Sequence, residues 1–404
     1  MAFTVSVGEA DFAALRNENA YYVDKTEILY ELVHDTKNKV TLFTRPRRFG
    51  KTLMMSMMEN FFDIRKDSRA LFEGLDVLKH AAFCKEWMNQ YPVLFISFKD
   101  IEAEDFEAAY AMLKVRLSEV GKGLSDLAQD DRVNKYDAEL LIRLQAETCN
   151  LSDIKNSLKT IMRMMYAVYK KKIILLIDEY DVPLAKASEK DSVKNRYYSR
   201  MLDVMKGILG TSLKDNEYLQ FAVITGCLRI AKESIFTGTN NFVSYSVLDN
   251  EFSGYFGFSN EEVKRILDAA ESRGKAGLIR EWYDGYVFGN SYVYCPWDVI
   301  NYISKEEGLP EGNKMIGDLM GYPGIERYYY GPHLHEYFKE IQEKAFGPHN
   351  AFSVGETPGL GMKMARMVTA EERKELDMVF SFDHLETPGH IRMEDYKYDL
   401  NYYR

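Results

Sequence analysis

The sequence is short of several things, and each shortage excludes a class of protein. Its 404 residues hold four cysteines, Cys84, Cys149, Cys227 and Cys295, with no CxxC spacing among them. That pattern argues against a zinc site or a disulfide framework and fits a reducing compartment. Uninterrupted apolar runs such as Ile173 to Ile177 are far too short to cross a bilayer, and Met1 to Glu18 lacks the apolar region of a secretory signal. The expectation is a soluble cytoplasmic protein with no membrane partner. Excess positive charge is missing too: 62 acidic against 52 basic residues leave a formal charge of −10. Nucleic acid is therefore a possible but not favoured partner, reached only through a local basic patch.

What is present is a chain of 46% hydrophobic and 28% charged residues, long enough for two or more domains and unlike a disordered or repetitive polymer. Four of the ten prolines precede residue 302 and six follow it, while five of the seven histidines follow residue 332. This shift in composition places a boundary near Asp298 to Gly308. Before it, four short apolar runs alternate with helical patterns, which predicts buried parallel strands in an α/β fold. The runs are Lys39-Val-Thr-Leu-Phe-Thr44, Tyr91-Pro-Val-Leu-Phe-Ile-Ser-Phe98, Lys172-Ile-Ile-Leu-Leu-Ile177 and Gln220-Phe-Ala-Val-Ile-Thr225. Ile154, Leu158, Ile161, Met165 and Val168 are spaced for an amphipathic helix over 152–169.

Two of the predicted strands end in chemistry. After the first comes Arg45-Pro-Arg-Arg-Phe-Gly-Lys-Thr52, then a helical run from Leu53 to Phe62. A phosphate chain needs inward-pointing backbone N–H groups, a helix N-terminus, an ammonium and a hydroxyl beside magnesium. The loop Arg45, Pro46, Arg47, Arg48, Phe49 and Gly50, followed by Lys51 and Thr52, supplies that set. The first glycine of G-x-x-x-x-G-K-[ST] is replaced by Arg45. The strand at 172–177 ends in Asp178 and Glu179, an arrangement that can hold magnesium and polarise an attacking water. Asp178 and Thr52 are the expected metal partners and Glu179 the candidate general base. The alternative is an acidic strand end that merely caps the next helix.

Tyr22-Val-Asp-Lys-Thr26, the 45–52 loop with its arginine, Leu176-Ile-Asp-Glu-Tyr-Asp181 and Thr225-Gly226 with Leu228-Arg229-Ile230-Ala-Lys232 resemble the AAA-ATPase-like family of bacteria and archaea. Asn240-Asn241, Phe256-Gly-Phe258 and Trp282-Tyr-Asp-Gly-Tyr286 extend the resemblance to residues 5–300. It implies ATP and Mg²⁺ as ligands and a three-layer P-loop NTPase sheet of the ASCE type, with one strand inserted between the phosphate-loop strand and the Asp-Glu strand. It also implies Thr225 as a polar sensor of the γ-phosphate and Arg229 as a charge-stabilising arginine. The domains expected are an ATPase domain over 1–250, a small helical, winged-helix-like region over 251–297, and a third segment over 298–404. An acidic-and-lysine nuclease pattern of the kind many family members carry is not found there.

The third segment resembles part of an oligo-1,6-glucosidase or α-glucosidase of the α-amylase superfamily, a (β/α)8-barrel enzyme. Asp298-Val-Ile-Asn301, Gly331-Pro-His-Leu-His-Glu-Tyr337, Val354-Gly-Glu-Thr357 and Val379-Phe-Ser-Phe-Asp-His384 carry the likeness. It implies Asp298 at the end of the fourth barrel strand as nucleophile and Glu356 at the end of the fifth as acid. The segment holds little more than strands four to six of eight. A barrel fragment with open edges does not preorganise two carboxylates, so no glycosidase activity is expected. Three readings follow: a Mg-dependent ATPase coupled to an unknown protein partner or switch, a nucleotide-gated binding module without turnover, and a glycoside hydrolase acting through the tail.

Overall fold

The computed structural model describes residues 4–34, 38–189, 196–227, 236, 242–270, 279, 286–304, 334–349, 351–356, 368–370, 373 and 375–380. The chain divides into two compact units, one of residues 1–273 with 286–304 and one of residues 274–285 with 305–404.

The first unit is built on five parallel strands: β1 (Val40–Thr44), β2 (Val93–Ser97), β3 (Ile173–Asp178), β4 (Leu219–Gly226) and β5 (Phe242–Tyr245). Their order is β2-β3-β4-β1-β5. β4 thus lies between β1 and β3, where the family resemblance implied an inserted strand. The four strands read from the sequence are present within one or two residues. β5 was not read, and its half-buried Phe-Val-Ser-Tyr at the sheet edge explains why: an edge strand needs no continuous apolar run. The central strands do need one, and β1 and β3 are buried along their whole length.

Side chains alternate across each strand, so β3 serves two cores. Ile173, Leu175 and Ile177 join one cluster, in which α5 (Phe106–Lys122), α6 (Lys135–Gln145), α7 (Leu151–Tyr169) and α9 (Tyr197–Leu213) pack. Ile174 and Leu176 join the other, with α2 (Glu27–His34), α3 (Lys51–Phe62) and α4 (Ala81–Trp87). α1 (Phe12–Asn17) and α8 (Val182–Glu189) also belong to this unit. α7 starts at a capping box between Asn150 and Asp153 and stops where Lys170 turns left-handed, which accounts for the predicted helix and its limits.

α10 (Asn260–Ala269), an antiparallel hairpin of β6 (Tyr286–Phe288) and β7 (Ser291–Val293), and α11 (Pro296–Ser304) all belong to the first unit. The reason is aromatic packing: Phe49 of the 45–52 loop meets Tyr286 and Phe288 at centroid distances of 4.8 and 5.0 Å. Asp298 accordingly sits in the first turn of α11 rather than at a strand end, a correction to the glucosidase-based expectation. Pro296 suits a first helical position, and Val299 and Tyr302, three residues apart, are the buried face.

In the second unit, α12 (Leu334–Ile341) and a parallel pair of short strands, β8 (Val354–Glu356) and β9 (Met378–Phe380), are described. The pair matches Val354-Gly-Glu and Val379-Phe of the glucosidase-like stretches. Glu375 is buried and held by His335 and Arg373 at 2.7 Å each.

Candidate nucleotide site

The carboxyl ends of β2, β3 and β4 and the first turn of α3 converge on one buried carboxylate. Asp178, fully buried, accepts from Thr52 Oγ1 at 2.9 Å, from Thr225 Oγ1 at 2.5 Å and, more weakly, from Ser97 Oγ at 3.4 Å. Strand register makes this possible, because Ser97 pairs with Asp178 across β2 and β3, and Ile177 with Ile224 across β3 and β4. Backbone bonds fix the strand ends, with Phe98 N donating to Asp178 O and Tyr180 N to Thr225 O. Thr225 spends its hydroxyl proton on Asp178, so it is placed as a support for that carboxylate, not with a free donor.

The 45–52 loop turns into α3 at Gly50, whose φ of 79° is left-handed and whose neighbourhood is open; the backbone, not space, requires glycine here. Lys51 is buried and Nζ donates to the carbonyls of Arg45 and Pro46 at 2.9 and 2.8 Å, with Cys227 Sγ at 3.3 Å. The ammonium therefore folds the loop around itself. Arg45 turns inward from the loop. Its guanidinium is fully buried, donates to Thr44 O and Tyr245 O at 2.9 Å each, and lies against the rings of Phe256 and Phe288 at 4.9 and 5.3 Å. Burial pulls its pKa down to about 10, opposed by Asp249. Arg47 is exposed, and Arg48, also exposed, stacks on Trp297 at 4.0 Å. The three arginines thus form no common basic patch.

Glu179 follows Asp178 in a left-handed conformation, φ 52°, and is half-buried. Burial raises its pKa above the ordinary carboxylate value and Asp178 raises it further, against Lys51 and Lys99. It lines the same cavity of about 380 Å³ as Gly50, Lys51 and Thr52. Asp181, nearly buried, accepts from Cys227 N at 2.9 Å and so holds the end of β4. Arg229, like Asn240 and Asn241, lies outside the described residues. Glu356 ends β8, and its side chain lies outside the described residues as well.

The Asp-Lys of Tyr22-Val-Asp-Lys-Thr26, which carried no readable role in the sequence, gains one from its contacts. Asp24 accepts from Thr26 N and Oγ1 and from Asp76 N. Lys25 donates to Glu262 at 2.6 Å and to Gly254 O at 2.8 Å, an ion pair with both side chains 12% exposed. Pairing residues so distant in sequence leaves no local signal.

Fold and site together define an α/β protein with a five-stranded parallel sheet and a glycine-lysine turn facing an acidic strand end. The family model described as Predicted AAA-ATPase matches residues 6–236, more than half of the chain, and the chain belongs to that AAA-ATPase-like family. A second model, Alpha amylase, catalytic domain, matches residues 294–403. The chain is 27% identical over 310 residues to "Uncharacterized protein in vnfD 5'region" of Azotobacter chroococcum mcd 1, covering 75% of this chain and 52% of that protein. It is 43% identical over 90 residues to an oligo-1,6-glucosidase of Bacillus cereus (22% of this chain, 16% of the enzyme). Against a trehalose-6-phosphate hydrolase of Bacillus subtilis it is 38% identical over 129 residues (32% and 19%). The chain spans about half the length of the first of these relatives and under a fifth of the two glycosidases. Among the described residues no helix is long and apolar enough to cross a membrane.

Proposed function

We propose that the first unit binds ATP with Mg²⁺ and hydrolyses it, in step with a conformational change or a protein partner. The observation that supports this reading is the bond from the Thr52 hydroxyl at the mouth of α3 to the buried carboxylate of Asp178, beside a cavity that Lys51, Thr52 and Glu179 line. The donor set suits magnesium. Among the described residues no cluster of three His, Cys, Asp or Glu side chains could hold a metal alone. Magnesium commonly takes one or two protein oxygens and completes its shell with water and phosphate oxygens, and Thr52 and Asp178 are such oxygens. When bound, the ion would neutralise charge on the phosphates.

The chain's own residues do the rest. The backbone N–H groups at the start of α3 and Lys51 bind the phosphates, with Lys51 exchanging its two loop carbonyls for phosphate oxygens. Glu179 accepts the proton of the attacking water, and its raised pKa favours that role. Ser97 and Thr225 orient Asp178. Equilibrium binding of ATP tests the proposal: tight, magnesium-dependent binding lost in Lys51→Ala is expected, and a wild type that binds no ATP, or binds it equally well after Lys51→Ala, refutes it. The amylase match rests on the 294–403 segment, and the position of Asp298 on a helix supports no glycosidase reading.

A further inference from the structure

The general phosphate-loop pattern opens on a glycine, and Arg45 stands in its place. The shape of this loop is fixed from outside it. Arg48 holds a left-handed backbone, φ 71°, which is costly for a residue with a Cβ and persists only where its surroundings over-determine it. Cys295 Sγ contacts the Arg48 carbonyl at 3.7 Å, and the Arg48 guanidinium stacks on Trp297. Arg45 reaches across to Tyr245 O and lies against the rings of Phe256 and Phe288. Its Nε and Nη2 have no hydrogen-bond partner, so two carbonyls and two aromatic rings hold this buried cation in place. Phe49 packs on Tyr286 and Phe288. Phe288, itself buried, therefore touches the loop twice, at Arg45 and at Phe49. Lys51 holds the same stretch of backbone by the carbonyls of Arg45 and Pro46. Phe288 does not line the cavity that Lys51 and Thr52 share, so it meets the loop away from the space where phosphate would enter.

Resting on the nucleotide reading above, we propose that Phe288 of the β6–β7 hairpin is a positioning residue for the phosphate loop. Through Arg45 and Phe49 it holds the backbone in the shape that Lys51 and the N–H groups at the start of α3 need in order to receive phosphate. The hairpin thus does the work that the missing glycine's backbone freedom does in the general pattern. Loop and hairpin share one equilibrium: a ligand on the loop steadies the hairpin, and loosening the hairpin weakens the ligand by the same factor.

The test measures ATP binding with magnesium on the full chain. Phe288→Leu, which stays apolar but deletes the ring, is expected to weaken ATP at least about tenfold. Ile161→Val, in the buried cluster on the other face of the sheet, is the control for lost stability alone and should leave ATP affinity within about twofold of wild type. In wild type, ATP should also slow amide hydrogen exchange in β6 and β7 by about threefold or more, a readout that needs no variant to fold. Unchanged ATP affinity in Phe288→Leu, an equal loss in Ile161→Val, or a hairpin whose exchange ATP leaves unaltered overturns the inference. A wild type that binds no ATP refutes the nucleotide reading itself, and the inference with it, which is distinguishable from all three.

Discussion

Thr52 and Asp178, 126 positions apart in sequence, are joined by a hydrogen bond of 2.9 Å from the threonine hydroxyl to the carboxylate. The bond ties the first turn of α3 to the tip of β3 and so sets the width of the space between them. Thr52→Val keeps the branched shape and deletes the donor. It is expected to cost about 1–3 kcal/mol of stability, because a buried carboxylate oxygen loses a partner, and to remove the magnesium dependence of ATP binding. Urea unfolding and ATP titrations with and without magnesium measure the two effects separately.

Glu179→Gln separates an ATPase from a nucleotide-gated module. If Glu179 takes the water's proton, the variant keeps ATP binding and loses phosphate release by about 10²–10⁴-fold. Negligible release by wild type as well would identify a switch without turnover.

The same residue sets a pH dependence. A general base works only when deprotonated, and the Glu179 pKa is raised by burial and by Asp178. The acid limb of phosphate release should therefore lie at higher pH than an ordinary glutamate would give. Stability moves the opposite way. The folded state holds this proton more tightly than the unfolded chain, so between the unfolded and folded pKa values stability falls as pH rises. Glu179→Gln should abolish that fall, as thermal unfolding across the acidic range would reveal.

Arg45→Gly would restore the glycine of the general phosphate-loop pattern, yet it is expected to damage this protein. The substitution removes two hydrogen bonds from a buried cation to Thr44 O and Tyr245 O, interactions worth about 1.5–3 kcal/mol each in typical cases. It also vacates the space between Phe256 and Phe288. A clear drop in melting temperature is the expected result, with weaker ATP binding following from a looser loop.

Gly226 lies where β4 passes close to the Asp-Glu turn. A Cβ there would come within 2.6 Å of Tyr180 Cε1 and 2.7 Å of Asp181 Oδ1, both on buried side chains. Gly226→Ala should destabilise by about 1–3 kcal/mol, the usual cost of overpacking, and disturb nucleotide binding through the displaced turn. Chemical denaturation alongside ATP titration checks both.

Much of this site was legible in the sequence because its determinants are local. A strand, a glycine-lysine turn and a helix occupy adjacent positions, and an apolar strand ending in Asp178-Glu179 declares itself by its neighbours alone. The edge strand β5 was missed since half-buried strands need no continuous apolar signature. The environment of Arg45 could not be read either: a basic loop looks solvated until aromatic rings 211 and 243 positions later close over it.

By itself the sequence determined the α/β class, four of the five sheet strands and the family, all properties carried by short contiguous stretches. Only the tertiary structure decided that Thr225 supports Asp178, that Lys25 pairs with Glu262, and that residues 286–304 pack with the first unit while Asp298 begins a helix. Those outcomes depend on strand order and on packing between segments far apart along the chain, and no local pattern of residue types encodes which distant surfaces will meet.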